Sequence, residues 1–439
     1  MTGSEDAMRP NVVLIFMDDM THWALRSSQV ITPNLDRLRT RGATFTHAFN
    51  QGSMNEAVCL PARQMLLSGL TLFHADRHFL DVPRLGRTLT EAGYDTFFTG
   101  KWHNEPEALE ADYAGVGPWG GAMYESTPVG GEAYLRPSPG NTWDPVDPSW
   151  RGHWFTLPDG SVQHSSEHWT DAAVGFLQRP HADQPFFLHL AYHAPHDPRQ
   201  APAECLALYE ESEIAVPPNF MPAHPFDNGE LKVRDEWLAP MPRTPEAVQL
   251  HRHEYFAILT HVDAQIGRVL DAVDLANTLV VFSGDHGLAL GEHGLLGKQN
   301  PYDHSIRVPL ILAGPGVPEG VAPDELVYSG SIYPTICDLL GVAVPEHIEF
   351  DSLTGLFEGA GDERNAIFGA YKTYQRLVRT RRHKLIEYPQ TGYGQLFDLD
   401  QDPWELINRY DDEELAVVRA ELTQRLRDLQ HQFDDPLAV

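Results

Sequence analysis

Four short apolar runs in this chain each break off into a cluster of charged or imidazole side chains. Residues 11–17 end in Asp18-Asp19, and residues 94–99 in Gly100-Lys101-Trp102-His103. Residues 186–191 end in Tyr192-His193-Ala194-Pro195-His196, and residues 278–282 in Ser283-Gly284-Asp285-His286-Gly287. The runs are rich in β-branched and aromatic residues, which suits buried strands. A fifth run, 308–312, leads into Gly314-Pro315-Gly316. Between them lie helical patterns over 33–41, stopped by Gly42, over 85–92, stopped by Gly93, and over 245–274. Strands alternating with helices specify an α/β fold on a mostly parallel sheet. The C-terminal strand ends then share one edge, where open α/β folds bind ligands. One Asp or His after a strand is usually a turn residue or a cap. Four clusters at four strand ends point to a single site instead.

Asp18, Asp19 and Asp285 brought to one point would repel unless a cation lay between them. Oxygen ligands favour Ca2+ first and Mg2+ second, with His286 as a fourth protein ligand. The imidazole also leaves Mn2+ or Zn2+ open. Lys101 and His103 alternate along an extended segment, so both can face one way while Trp102 faces another. His196 heads a Pro-rich loop, and His193, three residues earlier, reads as a surface histidine rather than a supporting one. Lys298 follows a Gly-rich stretch, residues 290–297, able to fold its ammonium back over the site.

Cys59-Leu60-Pro61-Ala62-Arg63 opens a further helical pattern that closes at Ser68-Gly69. Pro61 fits a first turn, where its missing N–H would have had no partner. Free N–H groups there favour negative charge at the cysteine position, and Arg63 offers a permanent cation able to fork onto an oxyanion. By spacing alone, a buried cysteine ahead of an ordinary helix is the commoner outcome. The strand-end cluster shifts the reading towards a nucleophile.

At 439 residues the chain can bury one large domain and a smaller one. A formal charge of −30 argues against nucleic acid or an anionic membrane as partner. It also requires any anionic substrate to find a local nest of basic groups. Cys59, Cys205 and Cys337 are too few and scattered for a disulfide framework. The polar N-terminus runs straight into the first strand with no signal peptide or spanning segment, so a cytoplasmic location is expected. Towards the C-terminus, residues 366–370, 375–380, 384–388 and 394–398 read as a small antiparallel sheet. Residues 413–433 then have helical spacing, with Leu415, Val418, Leu422 and Leu426 on one side. Tyr371, Lys372, Arg379 and Arg381 are expected on a solvated basic face. The Trp- and Pro-rich insert at 115–154 is a source of specificity, since loops carry that role on a rigid scaffold.

Taken together, these residues resemble the type I, formylglycine-dependent sulfatases of the alkaline-phosphatase superfamily. The resemblance rests on residues 11–19, the Cys59-to-Gly69 signature, Gly100-Lys101-Trp102-His103, the His196 loop, and Asp285-His286 through Lys298. Residues 299–309, 396–400 and 402–406 add to it. Ala62 stands where Ser is commoner in the family's Cys-x-Pro-Ser-Arg pattern, while its Cys, Pro and Arg are intact. The resemblance implies a large mixed, mostly parallel sheet sandwiched by helices, with a smaller C-terminal antiparallel sheet plus helix. Residues 1–343 would form the catalytic domain and residues 344–439 the small α+β subdomain. It implies that a formylglycine-generating enzyme converts Cys59 to Cα-formylglycine, whose hydrate supplies the nucleophile. Asp18, Asp19, Cys59, Asp285 and His286 would hold the metal, Ca2+ ahead of Mg2+ or Mn2+. Asp285 would accept a proton and Arg63 would favour the alkoxide. Lys101 and Lys298 would grip the sulfuryl oxygens. His196 would protonate the departing alcohol, and His103 would take the proton that releases sulfate.

The implied reaction is hydrolysis of a sulfate ester, of a sulfated sugar or a small aryl or alkyl alcohol. Hydrolysis of a phosphonate monoester or phosphodiester at the same site is the alternative, because sulfuryl and phosphoryl groups are close in size. A catalytically silent binding protein would be expected to have lost the nucleophile, a metal carboxylate or a cation, and none is missing here.

Overall fold

The computed structural model describes residues 9–121, 133–150, 152–181, 184–357 and 364–438. The first eight residues, and positions 122–132 and 151 of the expected specificity insert, lie outside the described residues. An eight-stranded sheet organises the rest. Its order is Leu326–Tyr328, Gly42–Phe49, Arg307–Ala313, Thr278–Gly284, Asn11–Met17, Phe186–Ala191, Asp95–Lys101 and Gly115–Gly120. Arg307–Ala313 is antiparallel to both of its neighbours, and every other pairing is parallel. The sheet is therefore mixed and mostly parallel, and one rim gathers the C-terminal ends of the strands that carry the polar clusters.

Alternation along the central strand explains the layers. Val13, Ile15 and Met17 enter a core beneath the helices Ser165–Gln178 and Pro245–Asp271. Val12, Leu14 and Phe16 enter the opposite core, with Leu66 and Leu67 of Cys59–Ser68 and Ile332 and Ile336 of Ile332–Leu340. Side chains two apart in a strand share a face, so both faces are buried and helices cover each. Gly100 is the tight point of the rim. It has φ +110°, and a Cβ there would lie 1.8 Å from the Ala191 carbonyl oxygen. Only glycine lets this strand press against its neighbour before turning into the site.

A second sheet runs Tyr393–Asp398, His383–Tyr388, Gln375–Arg379 and Ile367–Tyr371, all antiparallel. Its fifth strand is Gly52–Ser53, from the N-terminal part of the chain, paired in parallel with Ile367–Tyr371. This exchange ties the C-terminal sheet to the segment just ahead of Cys59. The solvated basic face expected here does not form as such. Tyr371 and Arg379 are buried, and Arg379 pairs with Asp303. Lys372 pairs with Glu230 and Glu56, and Arg381 alone of the four is well exposed, bound to Asp324. The helical spacing at the end resolves into a 3-10 turn, Glu413–Leu415, and the helix Ala416–Gln432, which buries Leu422 and Leu426 against the sheet.

That helix is locked by a buried ion pair. Arg376 donates through Nε and Nη2 to the two oxygens of Asp435, at 2.6 and 2.8 Å. Burial alone would raise the Asp435 carboxyl, but the guanidinium overrides it and holds the group below the ordinary carboxylate range. Because the folded value is depressed, this stability is full above about pH 4 and is lost as pH falls through the folded value. Arg376→Met strands a buried carboxylate and is expected to cost about 3 kcal/mol in urea unfolding at neutral pH. The same comparison in acid should show a smaller loss. Among the described residues no helix is long and apolar enough to cross a membrane.

Candidate active site

The helix Cys59–Ser68 begins at the cysteine and stops at Gly69, whose φ of 69° is left-handed. Pro61 sits in the first turn, as its chemistry requires. The Cys59 side chain is buried and faces the sheet rim. Sγ lies 3.2 Å from His103 Nδ1 and 3.7 Å from Lys101 Nζ. Burial would raise its thiol, but the Lys101 ammonium and the hydrogen-bonded His103 pull it well below the ordinary thiol value. The position is built to favour an anion.

Lys101 and His103 meet at Cys59 by a different route from the expected alternation. The strand ends at Lys101, and His103 has φ 55°, so the chain turns left-handed there and swings the imidazole in. Trp102 between them is buried in the sheet's lower core. Asp19 is left-handed as well, at φ 59°. Such backbone is costly for a residue with a side chain and concentrates at functional sites.

The carboxylates converge from strands far apart in sequence. Lys101 Nζ donates to Asp18 Oδ2. Lys298 Nζ donates to Asp19 Oδ1 at 2.7 Å, across 279 positions. Backbone N–H groups of Asp19 and His286 donate to Asp285 Oδ1 at 3.2 and 2.9 Å. Arg63 does not present a free fork. Its Nε donates to Asp285 Oδ2 at 3.2 Å and its Nη1 to the Lys101 carbonyl at 2.9 Å. Nη2 makes no hydrogen bond of its own but is ion-paired with Asp285 Oδ2 at 3.2 Å, and the guanidinium lies 5.2 Å over the Phe16 ring.

Ligand atoms of Asp18, Cys59, Asp285 and His286 lie within 4.8 Å of one another, and so do those of Asp18, Asp19 and His196. Asp19 belongs to the second group and also reaches the first, with Oδ1 3.5 Å from His286 Nδ1. His286 Nδ1 donates to the Gly287 carbonyl at 2.9 Å, which turns the Nε2 lone pair inward. Nε2 and Asp18 Oδ1 are both buried without a hydrogen-bond partner. A divalent cation fits that pair of inward lone pairs, and the backbone bond at Nδ1 is the support that metal-binding imidazoles use. Burial opposes a proton on His286, yet Asp285 lifts it to about 9. Surroundings that favour a proton favour a metal in its place. Burial and the neighbouring Asp18 push Asp285 up to about 7. Asp18 resists its own burial because Lys101, His196 and Arg63 hold it well below the carboxylate range.

His196 Nδ1 donates to the Asp197 carbonyl at 2.7 Å. Burial and the Lys298 ammonium push the imidazole well below its usual value. His193 is buried, not on the surface; its Nε2 lies 3.1 Å from the Gly121 carbonyl. Three further contributors carried no sequence signal. Asn50 donates to the Asp285 carbonyl at 3.2 Å, Tyr255 donates to the Asp19 carbonyl at 2.9 Å, and Asp235 accepts from Gln299 beside Lys298. Tyr255 lies mid-helix, Asp235 in the 3-10 turn Arg234–Leu238 and Asn50 just past a strand, where no motif marks them.

Residues 10–342 match the Sulfatase family model, and residues 291–432 match that of the N-sulphoglucosamine sulphohydrolase C-terminal region. An arylsulfatase of Clostridium perfringens is 27% identical over 448 residues, covering 93% of this chain and 91% of that protein. A phosphonate monoester hydrolase of Agrobacterium radiobacter has a similar fold, with TM-score 0.76, 21% identity and coverage of 97% and 96%. A protein solved in complex with its substrate D-glucosamine-2-N,6-O-disulfate has TM-score 0.75, 22% identity and coverage of 98% and 99%. A family match over most of its length, carried by the strands that build this rim, means that the chain belongs to the sulfatase family of the alkaline-phosphatase superfamily, hydrolases of sulfuric esters.

Proposed function

We propose that this enzyme cleaves a small sulfate ester, R–O–SO3⁻ plus water giving R–OH, sulfate and a proton, at a formylglycine formed from Cys59. The substrate class is a sulfated sugar or a small aryl or alkyl sulfate. The observation that carries the reading is Cys59 at a helix start within ligand distance of Asp18, Asp285 and His286, beside Lys101 and His103. An aldehyde at position 59 supplies, once hydrated, one hydroxyl for attack and a second for release of sulfate. A divalent cation held by Asp18, Asp19, Asp285 and His286, Ca2+ first, would lower the pKa of a hydroxyl there and draw charge from sulfuryl oxygens.

The chain's own groups divide the remaining work. Asp285, within ligand distance of the position-59 side chain, is placed to accept the proton of the attacking hydroxyl. Lys101 and Lys298 hold the sulfuryl oxygens, exchanging part of their hold on Asp18 and Asp19 for the substrate. An anionic substrate counters the Lys298 ammonium and so favours a proton on His196 Nε2, which passes to the leaving oxygen. His103, against the position-59 side chain, receives the proton lost when sulfate departs.

Phosphonate monoester or phosphodiester hydrolysis is the second reading, favoured by the likeness in fold to the Agrobacterium enzyme. Turnover of 4-nitrophenyl sulfate against a 4-nitrophenyl phosphodiester by matured enzyme decides between them. The sulfate is expected to have the higher kcat/KM by at least about 10-fold, a difference of about 1.4 kcal/mol in transition-state binding. A preference for the diester would reverse the assignment.

A further inference from the structure

From the packing of His153 and His164 on the His196 loop, we infer that His153 is a positioning residue for His196. The inference rests on the reading of His196 as the group that protonates the leaving alcohol. The His196 ring is fastened at Nδ1 to the Asp197 carbonyl, in the 197–198 peptide, so its orientation follows the backbone on either side of the Asp197 Cα. The adjoining 196–197 peptide is held by His153, whose Nε2 donates to the His196 carbonyl at 2.9 Å.

The tautomer of His153 follows from its partners. A carbonyl can only accept, so the proton is on Nε2, and Nδ1 accepts from Ser165 Oγ at 3.0 Å. The ring is fully buried and stacks on His164, with centroids 5.1 Å apart and planes 5° from parallel. His164 has the same tautomer. Its Nδ1 accepts from the Ser166 N–H at 3.1 Å, and its Nε2 donates to the Gln200 carbonyl at 3.1 Å.

The loop answers with one side chain. Gln200 Oε1 accepts from the His153 N–H at 2.7 Å, and Gln200 Nε2 donates to the carbonyls of Trp150 and Asp147 at 3.1 and 3.4 Å. Two stacked imidazoles thus clip the His196 loop at residues 196 and 200. One half of the clip, His153, lies at the end of the 115–154 insert and gives that part of it a role in proton delivery; the other half, His164, lies beyond the insert.

A misplaced proton donor harms esters of poor leaving groups far more than esters of good ones, because a good leaving group departs without help. The test is therefore a series of aryl sulfates from 4-nitrophenyl to unsubstituted phenyl, with kcat/KM for wild type, H196A, H153F and H153Q. H196A should lose about 100-fold more on phenyl sulfate than on 4-nitrophenyl sulfate. H153F, which keeps the ring volume and removes the donor, should lose about 10-fold more on the phenyl ester. H153Q, with an amide N–H of similar reach, should return to within about 3-fold of wild type. A uniform loss across the series for H153F, beside a steep H196A, overturns the clip and leaves His196 as donor. A flat H196A series overturns the donor reading itself, and the clip falls with it. Should H153F fail to fold by circular dichroism, S165A carries the test. Removing the hydroxyl that occupies Nδ1 is expected to steepen the series about 3-fold, and a flat S165A series counts against the clip.

Discussion

Cys59→Ala is expected to lower kcat by about 10⁴-fold or more, because removing a nucleophile removes the pathway and not one contact. Cys59→Ser is the more informative variant. It keeps an attacking oxygen but has no second hydroxyl, so it should release at most one equivalent of alcohol and then stop as a serine sulfate ester. Both variants should fold, since the buried Sγ is replaced by a group no larger. Mass spectrometry of the peptide holding residue 59 checks the premise directly. Conversion of CH2SH to CHO makes it about 18 Da lighter. Active enzyme carrying only the unmodified thiol would overturn the proposed nucleophile, whatever its substrate.

Asp18→Asn has the second largest expected effect. Oδ1 of Asp18 is buried with no hydrogen-bond partner, and Oδ2 accepts from the buried Lys101. An amide weakens the cation site and strands the ammonium at once. Turnover should fall about 10³-fold. Unfolding stability should fall by about 3 kcal/mol, the cost of leaving one buried charge without its partner. Chelation of the wild-type enzyme separates these two losses, because it removes the cation and leaves Lys101 paired. Activity should vanish and return with Ca2+, with Tm rising as Ca2+ is added in excess; at 100 times Kd the gain is about 2.7 kcal/mol. Full activity in protein shown metal-free by elemental analysis would exclude the cation from the mechanism.

These effects are large because the site is a closed charge system. Asp18, Asp19 and Asp285 face Lys101, Lys298, Arg63 and His286, and all seven are buried. No member can be neutralised without leaving another uncompensated in a low dielectric. The same economy explains why an acidic protein can bind an anionic ester: the cations sit beneath the surface, at the rim, where the −30 net charge outside does not reach them.

Much of this was legible in the chain. Asn11–Met17 and Phe186–Ala191 have the ends that their residues suggest, and Asp95–Lys101, Thr278–Gly284 and Arg307–Ala313 are displaced by one or two residues. Apolar runs and their polar stops are local, and backbone geometry reads them locally. Gly42–Phe49 escaped because Thr44, Thr46 and His47 interrupt its apolar content and Gly42 resembled a helix stop. Its place between two other strands is a tertiary fact. The acids and bases at the strand ends were visible for the same local reason.

What each of those groups touches was not. Arg63 reaches for Asp285 across 222 positions, His153 for His196 across 43, and Gly52–Ser53 crosses to a sheet made of residues beyond 366. The order of residues along the chain sets which side chains can carry charge to the end of a strand. Which of them meet is settled in three dimensions, since a hydrogen bond of about 3 Å depends on strand order, register and a left-handed turn at His103, none of which has a local signature.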